Sequence, residues 1–272
     1  MKIILSRKGL DSSAGGKPSP ILENGQVFSI PIPTTDESSP HQYRDVVVNG
    51  INAADMLSLV GAKKLDANTN CHFDPLLNSN IGLFGQAGNA QRELDNLGVG
   101  EGDLFLFFGW FRDWHSSKTA DYHHIYGWLQ VDRVIRGSQQ IKNFCEVEGI
   151  EHPHASGSDS RYRHNTLFIS KPNGTLKSLD LNLRAHGLFA KTNKKLILTE
   201  PGCTRSNWYL PEKYFSPSQN PNLFESRLKW LTKSSNRMKC AGYGQEFVVD
   251  TAKNPSVKDW VRDIFSSSEV ID

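Results

Sequence analysis

Three arginines lie where they can do chemistry together with aromatic or small polar neighbours. Arg7, followed by Lys8, opens the glycine- and serine-rich turn Ser6–Pro20 directly after the apolar run Lys2–Leu5. Arg112 lies between Trp110 and Trp114, and Arg205 stands three residues before Trp208. A guanidinium binds phosphate through two parallel hydrogen bonds, and an aromatic face stacks on a base. These pairings at strand ends point to nucleotide or base recognition, with Ser12, Gln86, His124 and Gln245 as further polar contacts. A second set, Asp11, His72, Asp74 and Glu246, offers acid–base chemistry. His72 and Asp74 are two residues apart, so on an extended segment they share one face and suit an acid–base pair or metal ligands. The alternative is structural: tryptophans in the core, solvated charges in a surface loop, and a hydrogen-bonded His–Asp pair.

Other chemistries lack their motifs. The Walker pattern fails, because Asp11 stands where its first glycine belongs and Pro18 where its Ser/Thr belongs. No HExxH, no CxxC and no GxSxG string occurs. His152-Pro153-His154 offers two imidazoles, but proline restricts their geometry, and no metal is assigned and no cofactor named. Cys71, Cys145, Cys203 and Cys240 are far apart, which suits a reducing compartment better than a disulfide scaffold.

The elements that position these residues centre on Asp103–Val134. Leu104–Phe111 reads as a strand covered on both faces, joined by a polar loop to a second strand, His124–Val134. Further strands are expected at Lys2–Leu5, Gln26–Ile32, Asn165–Ser170, Lys195–Thr199 and Gln245–Asp250. In the last, Phe247 and Val249 fall on one face, and Glu246, Val248 and Asp250 on the other. Helices are expected at Asn52–Val60, Asn89–Leu97, Ser138–Val147, Leu223–Leu231 and Pro255–Phe265. Thr34–Arg44 and the Gly/Ser-rich 155–163 read as loops, and Ser266–Asp272 as a frayed tail.

The 272 residues suffice for a sizeable core, and the chain is read as a single domain over 1–272. A net charge of +2 gives no global attraction to nucleic acid and leaves room for a local basic patch. The apolar start is too short for a signal peptide and no stretch of about 20 apolar residues exists, so a cytoplasmic protein with no membrane contact is expected.

The strings SRKGLDSSAGGKPSPI, LFGQAG, GDLFLFFGWFR, GWLQVDRVI, LTEPGCTRSNWYLP and GYGQEFVVD occur in that order. Together they resemble the bacterial and phage family called nucleotide modification associated domain 3, over most of the chain. The resemblance implies an association with modified bases in DNA and carries no established reaction. Residues 100–136 also resemble the core hairpin of PUA-like β-barrels, which hold a base in a cleft. The expected fold is mixed α/β (α+β): a curved, mostly antiparallel, barrel-like sheet with peripheral helices. The expected function is recognition or processing of a modified nucleotide or nucleic-acid base, DNA more than RNA, alongside DNA-modification enzymes. The alternatives are a reader of modified bases without chemistry and an interaction module of a phage-defence system.

Overall fold

Leu104 to Phe108 are five consecutive large apolar residues, and all are fully buried, so the strand that carries them must be covered on both faces. The computed structural model describes residues 1–116, 120–156, 162–215, 228–230, 236–240 and 246–271. Its principal strands are β1 (Lys2–Arg7), β2 (Ser19–Ile21), β3 (Asn70–His72), β4 (Leu83–Gln86), β5 (Leu104–Asp113), β6 (Asp121–Gln130), β7 (Arg133–Arg136) and β8 (Thr166–Ile169). They continue with β9 (His186–Phe189), β10 (Asn207–Tyr209), β11 (Arg237–Cys240), β12 (Glu246–Asp250) and β13 (Val270–Ile271). The helices are α1 (Ala53–Leu59), α2 (Gly88–Asn96), α3 (Ser138–Glu148), α4 (Pro153–Ser156) and α5 (Ser256–Ser266).

The main sheet has the order β12-β1-β5-β6-β9-β13, with β2 beside the far end of β5. β1 and β2 run parallel to β5, and the other pairings are antiparallel. A smaller antiparallel sheet, β7-β8-β4, covers one face. Phe84 and Phe168 of that sheet meet Phe105, Phe107 and Phe111 there. On the other face Leu104, Leu106 and Phe108 pack with Trp128, Trp208 and the apolar side of α5, Trp260, Val261, Ile264 and Phe265. Helix α3 lies beyond the small sheet, with Ile141 and Cys145 against Leu83, Leu167 and Ile169. The result is a stack of α5, main sheet, small sheet and α3, which is the layered solution for a sheet apolar on both sides. Among the described residues no helix is long and apolar enough to cross a membrane.

The mixed α+β class and the mostly antiparallel pairing hold; the barrel does not. Among the described residues the strand path ends at β12 and β13 without closing. The helices read at Asn52–Val60, Asn89–Leu97, Ser138–Val147 and Pro255–Phe265 form within one or two residues of the expected ends.

Several expected elements differ. Gln26–Ile32 does not run as one strand: Gln26 and Val27 make isolated bridges, Phe28 and Ile30 donate to separate partners, the Pro20 carbonyl and Ser19 Oγ, and only Ile32, with Pro33, forms a short strand on β3. The second central strand begins already at Asp121 and stops at Gln130; Val131 then donates to the Asp103 carbonyl and the chain crosses to the small sheet as β7. Within the expected loop Thr34–Arg44, His41–Gln42 pairs with β3 and a 3₁₀ turn begins at Tyr43. At Lys195–Thr199 a 3₁₀ turn, Lys194–Leu196, forms because the Asn193 side chain accepts from the Lys195 N–H. Of the helix expected at Leu223–Leu231, Leu228–Trp230 is instead a strand on β11, and the remainder lies outside the described residues. The tail does not fray throughout: Val270 and Ile271 pair with Phe189 and Leu188.

Candidate functional site

The faces of the central strands decide which polar residues meet. Leu104, Leu106 and Phe108 point toward α5, so Trp110 and Arg112, two and four residues further on, continue on that face. On β1, Ile3 and Leu5 share the face, and Arg7 follows them, its guanidinium 5.8 Å from the centre of Phe108 and 5.9 Å from that of Phe247. On β6, His123 is opposite Trp110 and Asp121 opposite Arg112. Where the strands pass the edge of the apolar layer, these side chains line a cleft of about 1630 Å³, closed on its other side by the segment 194–211 and the turn carrying Asp11 and Ser12.

Gly109 makes the close approach of β1 and β5 possible. A Cβ there would stand 2.7 Å from the Lys8 carbonyl oxygen and 3.1 Å from the Phe111 ring. Lys8 N–H donates to the Phe108 carbonyl at 2.8 Å, so the two backbones are in register at the cleft floor.

The three arginines converge in this cleft from three distant segments. Arg205 lies over the Trp110 ring, 3.9 Å from its centre, and its Nη2 donates to Ser12 Oγ. Arg112 Nε donates to Asp121 Oδ1 at 2.7 Å, and its guanidinium lies 5.4 Å from the centre of Trp114. Arg7 Nη2 donates to Cys240 Sγ at 3.0 Å. The cationic field registers on His123, whose pKa is pushed well down by burial and then by Arg7 and Arg205. Trp208 Nε1 donates to His123 Nδ1 at 2.9 Å, which leaves the imidazole proton on Nε2. Arg205 is itself shifted down by burial; Asp121 and Asp11 oppose that shift and Arg7 adds to it. Asp11 Oδ1 accepts from Ser13 N–H, Ser13 Oγ and Ala14 N–H at 2.7, 2.7 and 2.8 Å and thereby shapes the turn.

Other expected site residues lie elsewhere. Lys8, Ser6 and Glu246 point to the opposite face of the main sheet, because Arg7 and Lys8 are adjacent and their side chains alternate. There Glu246 Oε1 accepts from Gln86 Nε2 at 2.6 Å, Ser6 Oγ at 3.1 Å and Lys8 Nζ at 3.4 Å, and Lys8 Nζ lies 4.5 Å from the centre of Phe84. Burial raises the Glu246 pKa, against the pull of Lys8 and the Ser6 and Gln86 hydrogen bonds.

His72 and Asp74 belong to a third group, with His152 and His154. One ligand atom each of His72, Asp74 and His154 lie within 4.8 Å of one another. Asp74 Oδ1 takes the Gly85 N–H at 2.8 Å and His152 Nε2 at 3.1 Å. Burial works against ionisation of Asp74, but the His152 hydrogen bond and the three imidazoles hold its pKa down at about 2.

Trp208 is fully buried, edge-on to Phe108 and Phe247, so it positions His123 and is no stacking surface. His124 is fully buried too, with Nε2 on Thr192 Oγ1 at 2.9 Å and its ring against Phe111, away from the cleft. The cleft takes its neighbour His123, which the residue types alone do not distinguish; the two-residue period from Asp121 does. Trp114 packs against the cluster of Leu10, Phe28 and Tyr43 rather than lining the cleft. Gln245 lies outside the described residues. Asp121 and Lys195 also line the cleft, and neither is among the site residues expected from the sequence.

No curated protein and no solved structure matches this chain. The family model described as nucleotide modification associated domain 3 matches residues 2–250, a span that includes every strand bordering the cleft and both polar groups beyond it. The chain therefore belongs to the nucleotide modification associated domain 3 family.

Proposed function

We propose that this protein recognises or processes a modified nucleotide or nucleic-acid base, and that the arginine-lined cleft is where it does so. The observation that carries this reading is the convergence of Arg7, Arg112 and Arg205 on one cavity, with Arg205 seated on Trp110. A phosphate matches the guanidinium fork, and the stacked Trp110–Arg205 pair offers a flat cationic surface to a base. Asp121 now engages Arg112, so an anionic ligand competes with that carboxylate for the guanidinium. Neutral His123 supplies a ring N–H for hydrogen bonding. If the ligand is processed, Asp11 and Asp121, beside the arginines, are carboxylates available to it within a cavity that Glu200 and Asp263 also line.

A reading as a binder without chemistry has its own support. Asp11 Oδ1 is already occupied by its turn, and Glu246, the buried acid with the raised pKa, faces the other side of the sheet. In either form the partner is a nucleotide or nucleic acid, DNA rather than RNA, met in the cytoplasm beside DNA-modification enzymes.

The test is calorimetric titration with deoxynucleoside 5′-monophosphates, the parent nucleosides, and oligonucleotides with and without modified bases. The phosphate-bearing ligands are expected to bind more tightly. Arg205→Met should cost about 1.5–3 kcal/mol with them, the range for a hydrogen bond to a charged group. Steep weakening with salt identifies a polymer and a shallow dependence a free nucleotide. Equal affinity for nucleoside and nucleotide, unaltered in Arg205→Met, contradicts the proposal.

A further inference from the structure

The group formed by His72, Asp74 and His154 is separate from the cleft and is built like a coordination site. β3 ends at His72, and the chain turns so that the Asp74 N–H donates to the His72 carbonyl at 3.0 Å. His72 Nε2 and Asp74 Oδ2 face each other at 3.9 Å, beyond hydrogen-bond length and within the spacing of two ligands on one ion with bonds of about 2.1 Å. The third ring, His154, arrives on α4 and lies flat against β4. Gly85 is what admits it: a Cβ there would stand 2.2 Å from His154 Cδ2 and 2.6 Å from Nε2.

The surrounding hydrogen bonds fix His154 and Asp74 in their ligating forms. Asn165 Nδ2 donates to the His154 carbonyl at 2.9 Å and to Ser138 Oγ at 3.1 Å, which turns its amide oxygen toward His154 Nδ1 at 2.7 Å. His154 must then carry its proton on Nδ1, leaving the Nε2 lone pair for the cluster. His152 Nδ1 accepts the His154 N–H at 3.3 Å, so its Nε2 is the donor to Asp74 Oδ1. With Gly85 N–H on the same oxygen, Oδ2 is left on the side of His72. Asn165 and His152 thus hold the ligands as the outer partners of a metal site do, each fully or nearly fully buried.

We infer that His72 Nε2, Asp74 Oδ2 and His154 Nε2 form a binding site for a first-row divalent transition-metal ion. Two imidazoles and one carboxylate favour Zn²⁺, Fe²⁺ or Co²⁺ over the oxygen-seeking Mg²⁺ and Ca²⁺. Three protein ligands leave positions for water or substrate. The histidines come from HxD and HPH strings separated by 78 residues between His152 and Asp74, so neither string alone reveals the site.

The full-length chain, dialysed against chelator and confirmed folded by circular dichroism, is titrated with Co²⁺ as a visible-absorption probe and with Zn²⁺ by calorimetry. One ion per chain is expected, with a Co²⁺ spectrum that Zn²⁺ abolishes. His72→Ala, at the most exposed ligand, and Asp74→Asn should each weaken binding by more than about 100-fold, and Asn165→Ala by about 10- to 100-fold. Mg²⁺ should not compete. Absence of binding by the folded wild type overturns the inference, as does binding that survives His72→Ala within about 3-fold. None of these readouts depends on nucleotide binding in the cleft.

Discussion

At the scale of single residues, burial decides which of the many polar side chains face solvent or a ligand. Burial, with Arg7 and Arg205 adding to it, holds His123 neutral inside the cleft, while His124, one residue on, is neutral through burial alone, walled in by Phe111 and Thr192. Burial takes the His124 pKa from 6.5 down to about 4. Its unfolded form binds a proton that the folded form refuses, so its contribution to stability is complete above pH 6.5 and is lost as pH falls toward 4. The difference corresponds to about 3 kcal/mol. His124→Gln, which keeps a partner for Thr192, is expected to flatten the acid limb of urea-unfolding stability by about one proton between pH 6.5 and 4. An acid limb of unchanged slope contradicts this. The residue types in the sequence reveal the arginines and Trp110. They do not reveal that Trp208 is a buried support or that His123, not His124, is the cleft histidine, because those outcomes depend on which face each strand position takes.

At the scale of elements, the floor of the cleft depends on β1 and β5 lying side by side in register, with a glycine at the contact. Gly109→Ala places a methyl group against the Lys8 carbonyl, a backbone atom that cannot rotate away. It should destabilise the protein by about 1–3 kcal/mol, read as a lower urea midpoint, and weaken any ligand of the cleft. A variant as stable as wild type contradicts the role given to this position. Elements with strong local signals were legible: the aromatic run of β5, the short helix α1 after Asn52, and the apolar stripe of α5. Those that form through distant partners were not. Val270–Ile271 is a strand only because Leu188 and Phe189 are there to pair with it, and Leu228–Trp230 only because of β11. Gln26–Ile32 has strand-like composition, yet before Ile32 joins β3 the amides of Gln26, Phe28 and Ile30 are satisfied one at a time by unrelated acceptors.

At the scale of the whole molecule, the arrangement is non-local. The main sheet draws adjacent strands from residues 2–7, 104–113 and 246–250, and the cleft draws arginines from positions 7, 112 and 205. Sequence strings disclosed the family and the mixed class, but the convergence of the arginines and the division of the acidic candidates among three places required the sheet order. Asp11 reaches the cleft, Glu246 faces the opposite side, and Asp74 joins the histidines. On the proposed reading a nucleotide occupies the arginine-lined cleft. Photocrosslinking with 5-iodo-2′-deoxyuridine 5′-monophosphate, and with an oligonucleotide carrying that base, followed by peptide mass spectrometry, tests it most directly. Adducts are expected on peptides spanning 104–113, Trp110 above all, and 199–209, and they should be suppressed in Arg205→Met. Adducts confined to 72–88 or 246–250 would place the nucleotide on the other side of the sheet and contradict it.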